Sequence, residues 1–156
     1  MNGHLKVEAF TEAGWTGSLD DMRSASRYCT FIGGNLVSWS KKLYVVAQSS
    51  AEAGYRAIAH GLCEFLWLKN LMHELGITND DPMSLFCDNT ATINIAHKHI
   101  EIDRHIIKEK LNNKTICIPF VKSKNQLADM FTKGLSSKVF RYFTCKMGMR
   151  DIYAPS

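Results

Sequence analysis

No stretch of this 156-residue chain is apolar for long enough to cross a membrane. Its first residues, Met1-Asn-Gly-His-Leu-Lys-Val7, lack the apolar core of a secretory signal, so the expected setting is intracellular, cytoplasm or nucleus. Cysteine is not arranged for bridging. The five cysteines (29, 63, 87, 117, 145) are odd in number and widely spaced, and no C-x-x-C occurs. Cys29, Cys87 and Cys117 each sit inside an apolar run, which predicts reduced core thiols. His97-x-His99 and His105 have no partner cysteines at finger spacing, which argues against a zinc site. Internal repeats, linkers and low-complexity segments are missing as well. What remains is one domain, residues 1–156, large enough to bury a core. Its apolar and aromatic fractions, 46% and 10%, are those of a globular chain and exclude a disordered one.

Charge is present but uneven. Residues 1–103 carry 8 Lys/Arg against 12 Asp/Glu, a net −4, and residues 104–156 carry 11 against 3, a net +8. A basic half suits a polyanion such as nucleic acid, although lysines on a solvated surface give the same count.

Residues 5–10 alternate apolar and polar as a half-buried strand does, and 28–32 read as a second strand. Gly33-Gly34-Asn35 signals a hairpin, with the return strand starting at Leu36-Val-Ser-Trp39. Val45-Val46-Ala47 either extends that sheet or leads into a helix. Over residues 50–75, Tyr55, Ile58, Ala59, Leu62, Leu66 and Met72 share one face of a helix with about 3.6 residues per turn. Ser49-x-x-Glu52 matches a capping box at its start, and Gly76 suits the residue after its end. Met83-Ser-Leu-Phe-Cys87 reads as a buried strand, 89–97 and 103–111 as short helices, and Thr115–Val121 as an edge strand marked by Pro119. Two helices are expected over 124–134 and 137–147. A meander joined to alternating α/β units implies one mixed sheet with helices on its faces.

Four segments of that layout each carry an acid. They are Thr11-Glu12-Ala13-Gly14-Trp15 after the first strand, Ser49-Ser50-Ala51-Glu52-Ala53-Gly54-Tyr55 opening the long helix, Phe86-Cys87-Asp88-Asn89 at a strand tip, and Gln126-Leu127-Ala128-Asp129. Strand tips are where α/β folds build sites, and a carboxylate there can hold a hard cation such as Mg2+. Asp88 also suits the N-cap of the helix that follows it, and both readings stay open at this point.

In these four segments the chain resembles the ribonuclease H domain of Ty1/copia-type retrotransposon Pol polyproteins. That family shows T-D-A-D-W, S-S-A-E-A-E-Y, C-D-N and Q-L-A-D-x-F-T-K-x-L in this order. Lys98-His-Ile-Glu-Ile-Asp-Arg-His105 matches a further family motif outright, and Ser38-Trp39 and Asp20-Asp21-x-Arg23-Ser24 also fit. The resemblance covers roughly residues 8–149. It implies a ribonuclease H-like fold: a mixed five-stranded sheet, made of a three-strand antiparallel meander plus parallel strands, with helices on both faces. It also implies hydrolysis of RNA in RNA–DNA hybrids by two Mg2+ ions (or Mn2+) about 3.5–4 Å apart, clamped on the scissile phosphate. The residues it carries over as catalytic and metal-holding are Glu12, Glu52, Asp88 and Asp129. The partners it implies are an RNA–DNA hybrid or other nucleic acid and other Pol domains, with no membrane.

The departures from the family pattern bear on activity. Glu12 replaces Asp and is one methylene longer, where Mg2+ tolerates little distortion. The second Asp of the first motif is Gly14, and the second Glu of the helix motif is Gly54. That second Glu is the better match to the catalytic helix acid of ribonucleases H generally, which leaves Glu52 as either the ligand or the inner member of a capping box. A short insert usual before K-H-I-E-I-D is missing. Gly54 is expected to weaken its helix by roughly 0.8–1 kcal/mol relative to Ala, a pattern of relaxed selection. The expected activity is therefore weak or lost. The alternatives are a non-catalytic nucleic-acid or protein-interaction module on the same fold, or a retroelement relic. Trp15, Trp39 and Trp67 are expected in the core or a groove, His105 in the core, and Lys122, Lys124 and Lys133 near phosphates.

Overall fold

The structure, a computed structural model, describes residues 5–15, 23–47, 49–78, 81–98, 102–131 and 134–149. Asp20, Asp21, His99, Glu101 and Lys133, singled out above, lie outside them, and the Trp15 side chain is not described.

Three antiparallel strands, β1 (Val7–Trp15), β2 (Arg23–Ile32) and β3 (Asn35–Val46), form the meander. β4 (Met83–Cys87) joins β1 in parallel, and β5 (Ile116–Cys117) joins β4 in parallel. The order across the sheet is β3-β2-β1-β4-β5. Among the described residues there are four α-helices: α1 (Ser50–Glu74), α2 (Thr90–Lys98), α3 (Ile102–Asn112) and α4 (Ser137–Lys146). This is the expected mixed five-stranded α/β architecture.

Strand alternation divides the core in two. Val7, Ala9, Leu85 and Cys87 face α1, α2 and α3, where Ile58, Leu62, Phe65, Ala96 and Ile107 meet them. Cys29, Phe31 and Phe10 face the other way, onto Leu127, Ala128, Phe143 and Met147. Helices therefore cover both faces of the sheet. On the first face Glu64 of α1 is a polar clasp. Ser38 Oγ donates to it at 2.6 Å and the Tyr28 hydroxyl at 3.3 Å, fixing the helix on the β2–β3 hairpin.

α1 begins and ends as its sequence predicts. Ser49 Oγ accepts from the Glu52 N–H at 3.1 Å. Gly76 follows the helix at φ 74, and the Ile77 N–H reaches back to the Met72 carbonyl at 2.8 Å. Other boundaries move. β1 continues beyond residue 10 to Trp15 because β2 pairs with it the whole way, ending at Trp15↔Ser24. Val45 and Val46 extend β3 rather than opening a helix. β5 is cut to two residues. Beyond Pro119 the chain touches β4 again only through a Cys87↔Phe120 bridge, with the Val121 N–H on the Cys87 carbonyl at 2.9 Å. Among the described residues of the helix expected over 124–134, two short 3-10 helices, Ser123–Asn125 and Leu127–Phe131, stand instead of an α-helix.

Several side chains expected inside are outside. Trp39 is 57% exposed and Trp67 56%. His105 is exposed on α3. Cys117 is exposed too, because it alternates with buried Ile116 and Ile118 on an edge strand. All five cysteines are free thiols, and Cys29 and Cys87 are buried.

Burial pushes the Cys29 thiol from 9.0 up to about 12, and the Cys87 thiol up to about 11. A raised thiol pKa favours the folded state below the ordinary value, and that contribution is lost as pH climbs from about 9 toward about 12. The native chain should therefore show three fast thiols toward an aromatic disulfide reagent, Cys63, Cys117 and Cys145. Cys29 and Cys87 should react only after denaturation. Five fast thiols in the native state would contradict this packing.

Candidate active site

The site is set by where β1 outruns β4. Their parallel pairing ends at Thr11↔Cys87, while β1 goes on alone beside β2. The next residues, Glu12 and Asp88, are thus register neighbours at the free end of β4. Thr11 points toward α1, against Gly61, so Glu12 points to the opposite face, the side of Leu127 and Ala128. Glu12 is half-buried and lies inside β1 rather than at its tip. Directly across from it on β2 is Arg27, whose guanidinium lies near the open side of Gly14. The ladder partner of Glu12 is thus a cation rather than a further acid.

Asp88 is not the helix cap. That role belongs to Asn89, whose Oδ1 accepts the Thr92 N–H at 3.1 Å. The Asp88 carboxylate is turned to the other flank, where Ser123 Oγ donates to Oδ2 at 3.1 Å. Ser123 lies between the exposed Lys122 and Lys124, so this bond brings two cations to the neighbourhood of Asp88.

Asp129 is buried at 7% exposure in the 3-10 helix that rests on β1 and β2. The residue that puts it there is Gln126, itself fully buried. Its Nε2 donates to the Thr11 carbonyl at 3.0 Å and its Oε1 accepts the Ala128 N–H at 3.3 Å. Gln126 thus bolts the Asp129 segment to β1 one residue before Glu12. Reading the sequence for acids passes over it. The signal available was a long polar side chain opening the apolar pair Leu127-Ala128.

On α1 the two candidate positions differ. Glu52 is half-buried on the first turn, its N–H held by Ser49 and its Oε1 accepting from Arg56 at 2.6 Å. The capping role and an i,i+4 ion pair both fall to it. Gly54 is buried, and the α2 side chain packed on it is Thr92. A glycine at this position thus allows close packing of α1 on α2.

Glu12 and Asp88 follow each other in register where β4 ends, and Asp129 lies in the segment that Gln126 holds against β1. Yet among the described residues no three His, Cys, Asp or Glu side chains gather closely enough to hold a metal ion. Mg2+ needs near-octahedral oxygen ligation, and two such ions need carboxylates converging from several elements. With Glu52 engaged by Arg56, Gly54 offering none, and Arg27 opposite Glu12, the residues present do not fit a tightly held pair.

No family model matches the chain. Among curated proteins it is 37% identical over 95% of its length to the retrovirus-related Pol polyprotein from transposon RE1 of Arabidopsis thaliana. The chain spans 11% of that relative's length. Among solved structures it superposes with TM-score 0.58 on the N-terminal ribonuclease H domain of a Mycobacterium tuberculosis protein, at 14% identity and covering 90% of this chain and 97% of that one. A ribonuclease H1, LC11, solved in complex with an RNA/DNA hybrid, gives TM-score 0.57 at 12% identity, covering 78% of this chain and 88% of that one.

Gln126→Ala should remove the buried side-chain bonds that tie this segment to β1. Losing a buried hydrogen-bonded side chain costs about 1–3 kcal/mol. At roughly 2–4 °C per kcal/mol for a domain this size, thermal melts should shift down by about 2–12 °C. An unchanged melting temperature would show that Gln126 does not anchor the segment.

Proposed function

Because this chain belongs to the ribonuclease H-like domains of copia-type retrotransposon Pol polyproteins, we propose that it binds nucleic acid while hydrolysing RNA–DNA hybrids weakly or not at all. The observation that carries the proposal is on α1: the position that should offer a carboxylate to the strand tips is Gly54, packed on α2, and the nearby Glu52 is paired with Arg56. Mg2+ or Mn2+ is the cofactor of the ancestral chemistry. Without a converging carboxylate set, charge developing on a scissile phosphate lacks preorganised stabilisation. One such lost contact costs about 10²–10³ in rate.

Binding does not need that set. The basic half, residues 104–156, supplies it, with Lys122 and Lys124 flanking Ser123, which bonds Asp88. The substrate class is an RNA–DNA hybrid, and other Pol domains are the expected covalent or docked neighbours. The setting is intracellular, which suits five free thiols.

The test measures both functions on one preparation. Hybrid cleavage with Mg2+ or Mn2+ should fall at least about 10² below an intact ribonuclease H measured alongside. Glu12→Asp should leave it there, since position 54 still offers no carboxylate. Hybrid affinity should drop steeply with salt, and Lys122→Ala or Lys124→Ala should each lower the slope of log K against log salt by about 1. Efficient Mg2+-dependent cleavage by the unaltered chain would overturn the proposal, and salt-independent binding would remove its electrostatic half.

A further inference from the structure

We infer that Gly54 and Thr92 are a matched pair that closes the helix-ligand position, so that a carboxylate cannot return at 54 unless residue 92 is also reduced. The inference rests on reading position 54 as the ancestral ligand position, and it adds what now occupies that space. A β-carbon placed on Gly54 meets Thr92 Oγ1 well inside van der Waals contact, with Cγ2 at 3.1 Å and Cβ at 3.2 Å.

Thr92 cannot easily step aside. It is 0% exposed, it is β-branched and so stiff at χ1, and it sits on the first turns of a short helix. Its hydroxyl donates to the Ala51 carbonyl of α1 at 3.2 Å. That carbonyl lies three residues before Gly54, so the same side chain both bonds the helix and occupies the space above the glycine. Its N–H is held by the Asn89 cap, which directly follows Asp88. The contact is therefore tied to the tip of β4. Removing Oγ1 and Cγ2 together, as Thr92→Ala does, leaves only the 3.2 Å approach of Cβ, which a few tenths of an ångström of helix movement relieves.

The two residues should then behave as a coupled unit rather than as independent sites. In an ordinary helix, Gly→Ala stabilises. Here Gly54→Ala should lower the melting temperature, by about 2–12 °C for an overpacked core position. In the Thr92→Ala background the same change should lower it by less than half as much, or raise it. Gly54→Glu alone should be still less stable. Gly54→Glu with Thr92→Ala should fold, and it should gain saturable Mn2+ binding that the unaltered chain and Thr92→Ala lack.

The experiment is a double-mutant cycle by thermal melting on Gly54→Ala and Thr92→Ala, followed by Mn2+ titration of the Gly54→Glu, Thr92→Ala protein. Additive melting shifts would overturn the inference, whatever the metal does. Strong coupling without Mn2+ binding would leave the packing lock standing and would instead overturn the reading of position 54 as a ligand position.

Discussion

The parallel pairing of β1 with β4 is short, four residues on each strand, and the rest of the molecule is arranged around its end. β1 is the one strand with partners on both sides that differ in direction, antiparallel β2 and parallel β4. Where β4 stops, β1 goes on with β2 alone. The Thr11 carbonyl there takes a bond from Gln126, which holds the segment carrying Asp129 against β1. Val121 and Ser123 close over Cys87 and Asp88. One constraint, a strand that outlasts its partner, thus sets Glu12 beside the end of β4 and gives the Asp129 segment its seat.

At position 54 the long helix carries no carboxylate. α1 lies across the sheet, clasped at Glu64 by Ser38 and Tyr28 and packed through Ile58, Leu62 and Phe65. Its first turns approach α2 so closely that a glycine is needed at 54. That contact leaves no room for a side chain at position 54 unless Thr92 gives way. Acids in such a site repel one another and need bound cations to stay ionised together. Arg27 is set opposite Glu12, and Asp88 is met by Ser123.

Much of this was legible in the residues. The period of α1, its Ser49 cap and its Gly76 stop gave the helix almost to the residue, and Gly33-Gly34 gave the hairpin. The strand ending at Asp88 was clear because an apolar run meets a polar cluster there. The failures have a common cause in contacts that local sequence does not announce. Thr11-Glu12-Ala13-Gly14 has weak strand character, yet β2 pairs along all of it. Residues 123–131 carry a helical pattern but fold as two tight turns, with Gln126 reaching across to β1. Asn89 rather than Asp88 caps α2, a one-residue choice that periodicity cannot make. The contact of Gly54 with Thr92 joins positions on two helices and has no signature in either segment.

The central question is whether Glu12, Asp88 and Asp129 hold a divalent cation in the unaltered chain. Paramagnetic line broadening in amide NMR spectra during a Mn2+ titration reads this directly, residue by residue. The account predicts no saturating broadening focused on Glu12, Asp88 and Asp129, only weak and diffuse effects at exposed acids. Saturating, one-to-one broadening centred on those three residues would contradict it.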